Sequence, residues 1–128
     1  MRILTLLVVA ITSGCAIAPQ QKGWTIDDAM AEAPIICSGK SQCDDYWRRT
    51  QYWISTHSGF KVQVATDTVI ETYGAPNYSL RWAFSARREP GPNGADMITI
   101  SPSCGPAPIC QESRVQLVRD AQRYISSN

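Results

Sequence analysis

Four cysteines constrain this chain more than any other residues. Cys37 and Cys43 have five residues between them, and so do Cys104 and Cys110. Such pairs serve as cross-links only where the chain matures in an oxidising compartment. The N-terminus points to one. Met1-Arg2 is followed by the apolar or small run Ile3–Ile11 and then by Thr12-Ser13-Gly14-Cys15. A short basic start, an apolar core and a small-residue break make a secretory signal. The run is too short to cross a bilayer, which takes about 20 apolar residues. Four cysteines allow three connectivities, and spacing does not choose among them. Local pairing, Cys37 with Cys43 and Cys104 with Cys110, is favoured because short loops close at low entropic cost. A zinc site is the alternative. Zinc ligand pairs usually sit about two to four residues apart and oxidising space favours the disulfide, so no metal or other cofactor is expected.

The fifth cysteine has a different role. Ser13-Gly14-Cys15 after an apolar run resembles the lipobox of bacterial lipoproteins. The resemblance implies cleavage before Cys15, a diacylglyceryl group on its sulfur and a further acyl chain, such as palmitate, on its nitrogen. That family usually has Leu, Val or Ile three places before the cysteine; here Thr12 stands there, with Ile11 one step earlier. An ordinary secretory signal cut near Ala16 or Ala18 would instead leave a soluble chain. Two or three acyl chains hold a protein firmly to a bilayer, at about 0.8 kcal/mol per buried CH₂. Ala16 follows the cysteine where an aspartate would retain the protein at the inner membrane. The resemblance therefore implies an outer-membrane address facing the periplasm.

Residues 1–14 are thus expected to be a signal peptide, 15–34 a lipid-anchored tether and 35–126 one domain. Within the tether, Thr25 and Asp28 have capping-box form, and a short helix is expected over Ile26–Ala33, anchored by Trp24 and Met30. Losing Arg2 from the 12 basic side chains leaves them balanced by the 11 acidic ones. Such a chain offers no strong field for nucleic acid.

Cys43, Tyr46, Trp47, Thr50, Trp53, Ile54 and His57 recur on one side of a helix expected over Gln42–Ser58. Ser41 with Asp44 gives its capping box, and Gly59 its C′ residue. Phe60–Tyr73 is rich in Val, Thr and Ile and reads as one strand bent near Asp67; a short helix after Asp67 competes. Tyr78, Leu80, Trp82, Phe84 and Ala86 alternate with Ser79, Arg81, Ala83, Ser85 and Arg87, the clearest strand pattern present. Asn93-Gly94 signals a tight turn. Asp96–Ser101 returns as a third strand, with Ile98 and Ile100 on the core side. A second helix is expected over Glu112–Ile125, with Leu117, Val118, Ala121, Tyr124 and Ile125 as its stripe. Ile35–Lys40 reads as an apolar entry followed by a turn. The expected fold is α+β: a three-stranded antiparallel meander covered on one face by two helices, in the order α-β-β-β-α, with two disulfides.

No catalytic set is legible. His57 is the single histidine, and it falls at a helix end where an imidazole meets free carbonyls. Asp27-Asp28 and Asp44-Asp45 suit helix starts. No Gly-x-Ser-x-Gly, phosphate loop or His-Glu-x-x-His occurs. Arg81, Arg87 and Arg88 form a candidate basic patch on the polar face of the strand and the following loop, for lipid headgroups, glycan or an acidic protein surface. Tyr73–Phe84, a Tyr-Gly-Ala-Pro turn leading to Trp82 and Phe84, resembles a segment of small lipoproteins that help assemble outer-membrane barrels. A strand rather than a helix precedes the turn here, so no function carries across. The expected role is a non-enzymatic envelope lipoprotein that contacts the bilayer through Cys15 and an envelope protein or glycan through its domain. The alternative is a periplasmic inhibitor or neutralising binder. An inhibitor would present a rigid loop with its own anchor side chain, and Glu89–Gly94 and Gly105–Ile109 are the candidate loops.

Overall fold

The strand expected around Phe84 lies at the centre of the fold. In the computed structural model, which describes residues 33–105, 110 and 112–127, it is β4, Ala83–Pro90. It lies between β3, Val69–Thr72, and β5, Ala95–Ser103. β2, Val62–Ala65, and β1, Ile35–Ser38, are the edges. The sheet order is β1-β5-β4-β3-β2, antiparallel throughout. Helices α1, Lys40–His57, and α2, Arg114–Ser126, accompany it. Fold class, antiparallel sheet, two helices and two cysteine pairs match expectation; the sheet has five strands rather than three.

The two additional strands have separate causes. Ile35–Ser38 is a strand rather than an entry turn: Ile35 and Cys37 point inward while Ile36 and Ser38 are exposed. Four residues pair with Ala95–Ile98, too few to carry a period in sequence. Phe60–Tyr73 divides into β2 and β3 because Thr66 makes a turn of its own. Its hydroxyl accepts from the amides of Thr68 and Val69, at 3.3 and 2.9 Å. No helix follows Asp67.

Gly39, at φ 76°, lets the chain reverse from β1 into α1 with one intervening residue. The expected Ser41 cap is not formed. Gly39 is the N-cap, without a side-chain cap bond, and Ser41 lies inside the first turn. The Ser38 amide instead donates to Gln42 Oε1 at 2.7 Å. The Cys37–Cys43 disulfide closes this corner, with Cα atoms 5.1 Å apart. Gly59 is needed for a close approach rather than a left-handed cap. A Cβ there would lie 2.4 Å from Arg81 Cβ, and its amide donates to the Trp82 carbonyl at 3.0 Å.

The core lies between the sheet and both helices. Trp53 meets Phe84 edge-on, ring centres 5.3 Å apart, a geometry worth about 0.5–1.5 kcal/mol beyond burial. Ile54, Ile70, Ile98, Ala121 and Ile125 close the layer. Trp47, also buried, donates from Nε1 to the Thr66 carbonyl at 2.9 Å and so fixes the β2–β3 turn on α1. Tyr124 leaves the expected core stripe. It is 42% exposed and stacks on Tyr52 outside the helix pair. The sheet's other face carries Arg87, Thr99 and Ser101, all exposed. The expected tether helix lies outside the described residues apart from Ala33.

Candidate functional site

Strand parity places the first site. Even residues of β4 point to the helices, so Phe84 and Ala86 are buried. Arg88 continues that row just past the core, beside the first turn of α1. Its side chain is 16% exposed and forms two ion pairs, Nε to Asp96 Oδ2 at 2.8 Å and Nη1 to Asp44 Oδ1 at 2.9 Å. Burial opposes the Arg88 charge, but the hydrogen bonds to Asp96 and Asp44 outweigh it and raise its pKa above the usual value. Hydrogen bonds from Lys40 and Arg88 hold the Asp44 carboxyl below the usual range. This triad floors a groove of about 650 Å³ whose walls include Lys40, Arg48, Gln51, Asp67 and Glu89. The groove displays both signs of charge at close range, which suits recognition of a complementary polar surface.

The expected patch of Arg81, Arg87 and Arg88 does not assemble. Arg88 is bound to two carboxylates on the helix side, as above. Arg87 is exposed on the other face, opposite Val69 and Thr99. Arg81 stands at the far end of the sheet, before β4 begins. Parity already carried this signal, since Arg88 has the parity of Phe84 and Ala86 and not of Arg87.

That far end holds the second feature. The alternation from Tyr78 to Trp82 is not a strand; the regular strand starts at Ala83. Residues 74–82 instead form a loop braced by the second disulfide, Cys104–Cys110, with Cα atoms 6.1 Å apart. Cys104 Sγ lies 3.6 Å from the Ser79 carbonyl, and a Cβ on Gly105 would lie 2.9 Å from the Pro76 carbonyl oxygen. Tyr78 is held at φ 62°, in the left-handed region, where a bulky side chain is strained. It is 77% exposed, with Tyr73 at 57% and Leu80 at 52%. Beside the loop, a crevice of about 320 Å³ is lined by His57, Arg81, Trp82 and Glu112. Among the described residues, the Trp82 indole nitrogen is buried there without a hydrogen-bond partner. His57 stacks on Trp53, ring centres 4.2 Å apart, and its Nδ1 donates to the Trp53 carbonyl at 2.9 Å. It closes the helix end, as its position in the sequence suggests. Sequence reasoning missed Tyr78 and Leu80 by assigning them to a strand.

The expected local cysteine pairing is the one present. Among the described residues, one cluster has metal-ligand donor types: Cys37, Cys43 and Asp96, within 4.8 Å of one another. The two sulfurs are bonded to each other, and Arg88 occupies the Asp96 carboxylate, so the oxidised protein offers no cation site there. Cys15 lies outside the described residues. No helix among them is long and apolar enough to cross a membrane. No protein-family model matches the chain, and neither the curated proteins nor the solved structures contain a match.

Proposed function

We propose that the chain is a small cell-envelope lipoprotein, held by an acylated Cys15 at the outer membrane and facing the periplasm. It acts as a non-enzymatic interaction or assembly module. The observation that carries this reading is the Arg88 groove. Its floor is a fixed ion-pair triad, and its rim carries Lys40 and Arg48 at 88% and 77% side-chain exposure. Fixed floor charges set register, and exposed rim charges steer an incoming partner. An envelope protein or glycan with complementary charge fits this surface. The export signal and the two cross-linked corners agree with a periplasmic setting.

The test is photo-crosslinking in intact envelope with a probe at Gln51, on the groove wall. A specific adduct is expected that Lys40→Glu with Arg48→Glu abolishes while circular dichroism shows the variant still folded. An adduct insensitive to both reversals overturns the groove as the binding site. Cys15→Ala should release the protein from the membrane fraction, and unchanged fractionation removes the anchor. The second reading, a periplasmic inhibitor, has a specific observation in its favour: Tyr78 is an anchor side chain on a braced loop. The loop Glu89–Gly94 lacks such an anchor. Residues 106–109 of the other candidate loop lie outside the described residues.

A further inference from the structure

The Tyr78 loop and the chain's point of entry lie towards the same end of the sheet. β1 runs antiparallel to β5, with Ile35 opposite Ile98. Ala33 therefore lies further along β5. It helps line a crevice with Ile100 and Val118, and its carbonyl accepts from Gln122 Nε2 at 2.9 Å. The segment carrying Cys15 thus joins the domain from the side where β5 ends, where β4 begins and where Tyr73, Tyr78 and Leu80 are exposed. The Arg88 groove is at the opposite end, with the first turn of α1 and the start of β5.

We propose that the loop of Tyr73, Tyr78 and Leu80 is a second membrane contact, which rests on an anionic bilayer surface and turns the Arg88 groove away from it. The inference builds on the lipid anchor proposed above. Three observations carry it. The exposed side chains are two tyrosines and a leucine, the amphipathic and apolar types that settle at the headgroup level. Lys61 and Arg81 are exposed beside them, joined to the loop through the Tyr73 amide on the Lys61 carbonyl at 2.9 Å and the Ser79 hydroxyl on the Arg81 carbonyl at 3.0 Å. These cations match anionic headgroups. Tyr78 is displayed at a left-handed φ on a cross-linked support, so its outward position is set before any contact is made.

Tethering makes so small a patch effective. The chain from Cys15 to Ala33 spans at most about 60 Å when extended. An acylated Cys15 therefore keeps the loop within reach of the bilayer, and the contact becomes intramolecular. A patch that binds a free protein only weakly then suffices to orient an anchored one.

The test uses the chain from residue 15 with Cys15→Ala and both disulfides formed, so that only the loop can bind. Vesicles of phosphatidylethanolamine with roughly a quarter phosphatidylglycerol are compared with neutral phosphatidylcholine vesicles by co-sedimentation. Weak binding to the anionic vesicles is expected. Tyr78→Ser with Leu80→Ser should weaken it about tenfold, and Lys61→Gln with Arg81→Gln should remove the preference for anionic lipid. Circular dichroism melting confirms that each variant is folded. No vesicle binding, or equal binding by the Tyr78/Leu80 variant, overturns the proposal. So does a photo-crosslinker at position 78 that captures a protein rather than lipid in intact envelope, which would favour the inhibitor reading. The anchor is scored separately by fractionating the wild-type chain in cells. A soluble wild type removes the anchor while the vesicle assay still reads the loop.

Discussion

The hydroxyl of Thr72 replaces a rung of the sheet for Phe84. It accepts from the Phe84 amide at 2.9 Å and donates to the Phe84 carbonyl at 3.2 Å. The β3–β4 ladder ends one pair earlier, at Glu71 and Ser85. Without this contact, the Phe84 amide would sit in the core beneath Trp53 without an acceptor. Thr72 is itself 5% exposed, so water cannot take over the role.

Thr72→Val keeps the shape and removes both bonds. It leaves the buried Phe84 amide without its acceptor, which costs about 1–3 kcal/mol. Urea unfolding should show a lower midpoint with an unchanged slope. Thr72→Ser retains the hydroxyl and should recover more than half of the loss. If Thr72→Val unfolds with the wild type, the hydroxyl is not serving the ladder.

How much of this was legible in sequence depends on element length and on who supplies the turn. Both helices were legible from their stripes, because Trp47, Thr50, Trp53 and Ile54 recur over several turns. β5 was legible from Ile98 and Ile100. β1 was not, since the pattern of Ile35 to Ser38 is shorter than two full alternations. The β2–β3 turn was hidden because Thr66 builds it with a side-chain hydroxyl, where Gly or Pro would have announced it. Tyr78 to Trp82 alternates as a strand does, yet a disulfide distant in sequence and the close approach of Gly105 hold it as a loop. No local pattern encodes that support. The triad was half legible: parity places Arg88 on the helix side, but only the fold brings Asp44 and Asp96 to it.

The triad predicts a response to acid. Hydrogen bonds from Lys40 and Arg88 lower the Asp44 pKa below its ordinary value of 3.8. A lowered carboxyl contributes stability that is complete above the unfolded pKa and is lost as pH falls through the folded one. Stability should therefore hold from neutrality down to about pH 4 and decline below it. Asp44→Asn should flatten that decline relative to the wild type, measured as unfolding midpoints across the acid range. Arg88, whose pKa is raised above its ordinary value, keeps its contribution through the whole neutral range and adds no slope there. An acid limb as steep in Asp44→Asn as in the wild type would show that the decline arises elsewhere.

Pro102 predicts how the sheet stays solitary. Phe84 turns its backbone to Thr72 on the β3 side, so the Phe84–Pro102 pair is a non-hydrogen-bonded one in the β4–β5 ladder. Pro102 accordingly points its backbone to the outer edge, as Ile98 and Ile100 do. Among the described residues, β1 pairs along that edge only as far as Ile98. Past it, Ile100 presents an amide and a carbonyl, while Pro102 presents a carbonyl alone. A missing donor blunts an edge against pairing with another chain. Pro102→Val restores the donor, adds a good strand former and keeps an apolar side chain on the helix face. It should leave the thermal midpoint close to that of the wild type and raise the sedimentation coefficient at protein concentrations on the order of 100 μM, where exposed edges associate. Pro102→Val with Thr99→Lys, which adds a charge near the same edge, should return it to the monomer. A Pro102→Val protein that sediments as the wild type does would show that β1 and the entering chain protect the edge without the proline.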